Sequence, residues 1–407
     1  MLLAGLAWRN LWRRPQRTLL SLVSIVIVSA ILVFMLSFQI GVYDTMKEST
    51  LRILDGYAQV QPTGYADDPG LERSIARPDA LARAATAIDG VTTAAPRVAS
   101  FAILASGPRS YGAAVLGVDP ASEPRVSTIA AMIAQGRYLK PGDDDDAIIG
   151  DVLARNLNVG VGGQVTLLGQ ARDGSVAADV LKVAGVYHSG VTELDRTILE
   201  MPLARAQADF DMTGRASTIA LSGPSLGAVS AAVPSLAALA RGQGLTVLDW
   251  GALEPAMRDA IALKYATSML FYLTLVVVVA FIILNTLLMS VLERTREFGM
   301  LLAVGMRPGQ IGAMVWLELL GLALIGCVVG VVLGVGVTLW FMRHGIDYGS
   351  LGKVLAQFGL PSRLYPTLTP LSALLGPGAL LIAIFAGGLA PYLRVSQLTP
   401  ASAMRAP

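Results

Sequence analysis

Chemistry needs particular side chains at particular spacings, and this 407-residue chain offers few such sets. Four adjacent carboxylates, Asp143-Asp144-Asp145-Asp146, have the oxygen chemistry that calcium takes. They lack the alternation with Gly that shapes an EF-hand loop, so they read as a solvated turn. Gly160-Val161-Gly162-Gly163 has the glycine density of a phosphate cradle, but no Lys follows it and it precedes a predicted strand. No G-x-x-x-x-G-K-S/T occurs, so ATP hydrolysis by that route is not expected of these residues. The two histidines, His188 and His344, lie far apart in the sequence, which argues against a His-based metal centre or nucleophile. The single cysteine, Cys327, sits in an apolar run and excludes an intrachain disulfide and a Cys-based zinc site. No catalytic, cofactor-binding or metal residue is therefore assigned.

Four other sets of residues could work without doing covalent chemistry. Leu292 to Gln310 reads as a short amphipathic helix between two apolar runs, with ion-pairing charges on one side and Phe298, Met300, Leu301, Leu302 and Val304 on the other. Glu318 is a carboxylate inside an apolar run, about two turns from its inner end; pairing, contact with lipid headgroups and a transport role all fit it. Gly326, Gly330 and Gly334 recur every four residues, a spacing that lets helix backbones approach closely. They fit a packing seam within one bundle or between two protomers, and also the general glycine enrichment of membrane helices. Phe34–Phe38 and Ser268–Tyr272 place flexible Met and aromatic side chains in facing halves of two runs, a composition that suits apolar ligands or ordinary packing.

The elements that must position these residues are mostly membrane helices. Thr18–Ile40 is a 23-residue run with no charge, long enough as a helix to cross a hydrocarbon core of about 30 Å. Arg9, Arg13, Arg14 and Arg17 precede it, which places the N-terminus on the cytoplasmic side. The run is longer than a signal-peptide core and exits without an A-x-A site, so it reads as an uncleaved anchor. Three more apolar runs follow: Tyr265–Leu292, Ile311–Met342 with Glu318 as its one charge, and Leu371–Leu393, broken by Pro377 and Pro391. Four spans return the C-terminus to the inside. Residues 41–263 carry 18 Lys and Arg against 25 Asp and Glu, whereas the remaining residues carry 13 against 4. An acidic translocated middle and a basic membrane part obey the positive-inside rule. The outer loop departs from it with Arg343, Lys353 and Arg363. No basic stripe with interleaved aromatics appears, so nucleic acid is not an expected partner.

The expected class is a membrane α-helical protein with four transmembrane helices and a large mixed α/β extracytoplasmic domain inserted between the first and second. The segments are a lead at 1–17, helix 18–40, the α/β domain with stalks at 41–263, helix 264–292, a loop at 293–310, helix 311–342, an outer loop at 343–370, helix 371–393 and a tail at 394–407. Within the middle domain, apolar alternation predicts strands at Tyr57–Gln61, Phe101–Leu104, Tyr111–Leu116, Ala147–Ile149, Gln164–Leu168, Leu181–Tyr187, Thr197–Glu200 and Thr218–Leu221. Helices are expected at Pro78–Ile88, Asp151–Leu157 and Pro202–Phe210, with a surface helix in the Ala- and Ser-rich Ser222–Leu239.

Glu293-Arg294-Thr295-Arg296-Glu297-Phe298-Gly299, followed by Ala303-Val304-Gly305-Met306, resembles the cytoplasmic loop of the MacB/FtsX/lipoprotein-releasing (LolC/LolE) permease superfamily, E-R-T-R-E-I/F-G and A-V/L-G. Trp8-Arg9-Asn10-Leu11-Trp12-Arg13-Arg14 is similar to its W-R-N lead, and Pro391 to Arg405 resembles its tail. Val115-Leu116-Gly117-Val118-Asp119-Pro120 and Ile149-Gly150-Asp151-Val152-Leu153-Ala154 resemble its external-domain patterns, with a lean toward lipoprotein-releasing permeases. The resemblance implies the permease subunit of a type VII, mechanotransmission ABC transporter in a bacterial inner membrane, without catalysis of its own. Two ATPase copies would carry ATP and magnesium, and a second permease, identical or paralogous, would complete the assembly. It further implies that Glu293, Arg294, Arg296, Glu297, Gly299 and Gly305 form an ATPase-coupling helix, with the charges pairing to the ATPase and the glycines letting backbones approach. Met35, Phe38, Met269, Phe271 and Tyr272 would line a cavity for lipid or lipoprotein cargo. A MacB-like efflux permease, or an FtsX-like relay to a periplasmic hydrolase, is the alternative.

Overall fold

The computed structural model describes residues 5, 9, 15–349, 352 and 363–396. The tail motif beyond Ser396, most of the W-R-N lead and most of the outer loop, Lys353 included, lie outside them. The chain forms two compact units: Met1–Asp44, Ala260–Asp347 and Arg363–Pro407 make one, Thr45–Asp259 and Tyr348–Ser362 the other.

The first helix, α1 (Pro15–Ile53), takes in the uncharged run and the polar stretch after it without a break. Its 39 residues measure about 58 Å, well beyond the thickness of a hydrocarbon core.

The second unit is a mixed α/β domain. In chain order it contains β1 (Ala58–Pro62), α2 (Pro78–Thr86), β2 (Thr93–Ser106), β3 (Arg109–Val118), β4 (Ile133–Gly136), β5 (Asp146–Gly150), α3 (Asp151–Leu157), β6 (Gln164–Gln170), β7 (Val176–Tyr187), α4 (Thr192–Thr197), β8 (Ile198–Pro202), α5 (Leu203–Asp209), β9 (Thr218–Ser222), α6 (Leu226–Ala240) and β10 (Leu245–Asp249). All eight strands read from apolar alternation are present. β4 and β10 are additional, and both are too exposed to carry that alternation. The Ala- and Ser-rich helix α6 is set by Ser225, whose side chain accepts the Ala228 N–H at 3.2 Å. It is not wholly a surface helix, because Leu226, Val229, Ala232, Leu236 and Ala240 bury one face.

These ten strands form one sheet in the order β10-β1-β9-β2-β3-β8-β5-β7-β4, with β6 pairing both β2 and β7. That second pairing closes β2, β3, β8, β5, β7 and β6 into a ring. All neighbours in it are antiparallel except β3–β8 and β5–β7. Val98, Leu104, Val115, Ile149, Val165, Leu181 and Leu199 fill its core. Each such buried aliphatic side chain contributes about 1.5–3 kcal/mol of transfer free energy.

Charges are also buried in this unit. Arg97 donates twice to Glu123, Nε to Oε2 at 3.1 Å and Nη2 to Oε1 at 2.5 Å, and both side chains are inaccessible. A second carboxylate, Glu200, lies beside them and accepts from the Tyr138 hydroxyl at 3.1 Å. Burial, and next the Glu123 charge, push the Glu200 carboxyl up to about 8, so one guanidinium serves two carboxyls of which one keeps its proton at neutral pH. The Asp143–Asp146 run is not simply a solvated turn: Asp143 and Asp146 pair with Arg137 at 2.5 and 2.6 Å, and Asp145 pairs with Arg205 at 3.2 Å.

The other unit holds α7 (Pro255–Glu293) from Ala260 onward, α8 (Thr295–Ala303), α9 (Pro308–His344), α10 (Pro370–Gly387) and α11 (Leu389–Ser396). Among the described residues four helical segments, Thr18–Ile53, Pro255–Glu293, Pro308–His344 and Pro370–Leu393, are long and apolar enough to cross a membrane. The last is not broken at its prolines as expected. Pro377 sits inside α10, and the interruption falls at Gly388. Ile25 and Leu32 of α1, Val276 and Ile283 of α7, Leu319 of α9 and Ile384 of α10 share one apolar core.

Candidate functional site

Between α7 and α9 the chain makes one short helix, α8, and its two faces differ. Phe298 and Leu302 are buried against Val291, Ile311, Met314, Val315 and Val395. Gly299 is buried beside them. On the other side Arg296, Met300, Leu301 and Val304 are exposed, Met300 to 61% and Val304 to 89%. The single apolar side expected from sequence is thus divided: part of it anchors the helix and part faces outward.

α8 ends by a Schellman closure. The Gly305 N–H donates to Leu302 O and the Met306 N–H to Leu301 O, both at 3.0 Å, with Gly305 at φ +101°. Only glycine adopts that backbone without strain. Gly305 therefore shapes the turn into α9, and Gly299 serves packing within the chain. Gly305 is exposed with open space around it, whereas Gly299 is buried within the chain. The Arg307 N–H donates to Gln310 Oε1 at 3.0 Å at the start of α9.

The coupling charges also separate. Arg296 is exposed, and so is Glu293 at the end of α7. Arg294 is turned inward: Nη1 donates to Glu318 Oε2 at 3.1 Å, Nε to Glu297 Oε2 at 3.4 Å, and the guanidinium lies 5.3 Å from the centre of the Phe298 ring. The reading that Arg294 pairs with an ATPase gives way to an internal one, because its side chain is only 12% exposed. The same contact gives Glu318 a partner. A carboxylate in an apolar helix demands a counter-charge, which was the one signal available in sequence.

The glycine seam lies inside the chain. A Cβ built on Gly326 would stand 2.6 Å from Ile25, one on Gly330 2.5 Å from Ser29, and one on Gly334 2.8 Å from Val33. α9 thus packs against α1 at a distance only glycine permits.

The five expected cargo residues do not converge. Met269 and Phe271 are exposed and two positions apart, about 200° around α7, so they face different sides of that helix. Met35 is exposed, and Phe38 stacks on Phe34 at 6.1 Å. Tyr272 donates to Gln39 Oε1 at 2.9 Å, while Gln39 Nε2 reaches Ser268 at 2.7 Å and Tyr43 at 2.9 Å. These four polar groups tie α1 to α7, a contact the Met and aromatic pattern did not foretell.

Residues 18–239 match the MacB-like periplasmic core domain and residues 269–400 match the FtsX-like permease C-terminal domain. The chain belongs to the MacB/FtsX/LolC family of ABC transporter permeases. Among relatives of this permease, a lipoprotein-releasing system transmembrane protein LolC from Neisseria meningitidis is 24% identical over 329 residues, 78% of each chain. A macrolide export ATP-binding/permease protein MacB from Chlorobaculum tepidum is 37% identical over 105 residues, 23% of this chain and 16% of that protein. Of solved structures, the periplasmic region of MacB from Actinobacillus actinomycetemcomitans aligns with a TM-score of 0.36 at 15% identity, covering 50% of this chain and 94% of that one. The extracellular domain of the transporter YknZ aligns with a TM-score of 0.35 at 15% identity, covering 47% and 98%. With four membrane-length helices, the permease is a multi-pass membrane protein.

Proposed function

We propose that the permease is the non-catalytic subunit of a lipoprotein-release-like ABC transporter in a bacterial inner membrane. ATP and magnesium belong to a separate ATPase present in two copies, and a second permease, identical or paralogous, completes the membrane part. Both termini and α8 face the cytoplasm, and the α/β unit faces the periplasm. Residues 18–40, 264–292, 311–342 and 371–393 cross the bilayer. The observation that carries this reading is α8: a helix fixed on one face by Phe298 and Leu302 that presents Arg296, Met300, Leu301 and Val304 on the other. An exposed apolar strip beside a cation suits a groove of complementary charge in a partner protein. Similarity to LolC along 78% of both chains supports lipidated cargo over the efflux reading, for which the MacB match spans 23% of this chain.

Arg296→Glu tests the coupling surface. The variant should insert normally but retain its ATPase at least about tenfold more weakly, roughly 1.4 kcal/mol of binding, with lipoprotein release falling accordingly. Normal ATPase retention and release would remove the assignment. Cysteines at Gly64 and Pro308 should label from the periplasmic and cytoplasmic sides respectively. Purification from the native membrane then identifies the cargo class. An ATPase with bound lipoprotein fits the proposal; an ATPase with a periplasmic hydrolase and no cargo-dependent activity would replace it by signal relay.

A further inference from the structure

The α/β unit holds a second site that the transport reading does not use. Asp151 opens α3, His188 follows the last residue of β7, and Asp195 lies in α4. Sequence separates the three, and Gly150 helps bring them together: a Cβ there would overlap the backbone carbonyl of Asp195, so only glycine lets α4 sit against the start of α3. One ligand atom from each of Asp151, His188 and Asp195 lies within 4.8 Å of the other two.

His188 Nδ1 stands 3.1 Å from Asp195 Oδ2 and 3.3 Å from Asp151 Oδ2. A ring nitrogen carries at most one proton, so it satisfies at most one of the two oxygens that face it. Asp195 is 1% exposed, and its Oδ2 has no hydrogen-bond partner among the described residues; nor does the buried Asp151 Oδ1. Buried carboxylate oxygens without donors are costly. Their surroundings are otherwise arranged. Asp195 Oδ1 accepts the Ser189 N–H at 2.8 Å and the Ser189 hydroxyl at 2.7 Å, which fixes the carboxylate with Oδ2 turned to the histidine. Arg155 Nη1 donates to Asp151 Oδ2 at 2.6 Å, which orients that carboxylate and leaves Oδ1 over. The His188 side chain is 60% exposed, so the cluster opens to solvent on one side.

We propose that Asp151, His188 and Asp195 bind a divalent transition-metal ion of the zinc class. Tetrahedral ligands at about 2.0–2.1 Å from zinc lie about 3.3–3.4 Å from each other, close to the separations of His188 Nδ1 from the two carboxylates. One imidazole with two carboxylates is a zinc-type donor set, whereas calcium and magnesium take oxygen ligands. The ion supplies the positive charge that Asp195 Oδ2 lacks beside the Asp151 carboxylate, and solvent completes its coordination. It would fasten α4 to α3 and to the end of β7, adding to the Tyr187 hydroxyl's bonds to Leu194 O and Ile198 O.

The test uses the full-length permease in detergent micelles, without an affinity tag and stripped with EDTA, dialysed against zinc. One zinc per chain should be retained. His188→Ala should weaken binding on the order of 100-fold or more, whereas His344→Ala should leave it unchanged. Asp195→Asn, which keeps an acceptor for Ser189, should also lose the ion. Zinc should raise the unfolding temperature of the wild type but not of His188→Ala, whose stability in EDTA should match the wild type. Retention of no zinc by the wild type, equal retention by wild type and His188→Ala, or displacement by millimolar calcium or magnesium would each overturn the proposal.

Discussion

Two buried Arg–Glu pairs, one in each unit, use the same chemistry to different ends. Arg97 and Glu123 meet through two hydrogen bonds, with side chains 3% and 0% exposed, and share their pocket with Glu200. Arg294 and Glu318 meet at 3.1 Å, with side chains 12% and 9% exposed, and Arg294 also reaches toward Glu297. The first pair is closed on all sides and fixes a sheet. The second joins the start of a short helix to a long one and is slightly more exposed. A bidentate pair adds geometric specificity, and an arginine that reaches two carboxylates divides its donors between them. The difference teaches where each unit is built to hold and where it is built to yield.

Removing Arg97 is the sharpest way to break that comparison. Arg97→Ala strands Glu123 beside Glu200 without its guanidinium and should destabilise the α/β unit by about 3–5 kcal/mol, read by thermal unfolding of the full chain in micelles. Arg294→Ala should have less effect on stability, about 1–3 kcal/mol, and should impair ATPase coupling more than folding. If it proves the more destabilising of the two, the contrast fails. The smallest effect is one of slope. The native Glu200 carboxyl keeps its proton up to about 8, while its ordinary value is 4.5. The folded state therefore binds the extra proton across that window, and stability falls as pH rises through it. Glu200→Gln should flatten that decline between about pH 4.5 and 8, leaving stability at pH 5 little changed. An unchanged slope would mean that Glu200 is ionised throughout.

How much of this was legible in the sequence depends on how far each signal reaches. Strands that bury one face, such as β6 with Val165 and Leu167, announce themselves by alternation. β4 and β10 bury too little for any period to register. α8 was legible as an amphipathic stretch, but its division into an anchored and an exposed side was not, because that depends on how α7 and α9 pack. Arg294 and Glu318 are 24 residues apart, and only the tertiary arrangement makes them neighbours. The glycine spacing showed that something packs closely; that it is α1 of the same chain rests on Ile25, Ser29 and Val33. Asp151, His188 and Asp195 share no spacing rule, so composition alone argued against a histidine site that the fold assembles.

The closed ring of β2, β3, β8, β5, β7 and β6 has a consequence for how the α/β unit comes apart. A strand at the end of a row can peel away one hydrogen bond at a time; a strand with a neighbour on each side cannot leave until the whole circuit opens. Amide protons in the ring should therefore exchange with solvent together, only through global unfolding, while those of β10, at the end of the row, exchange through local fraying. Such a body keeps its shape when pulled from one side.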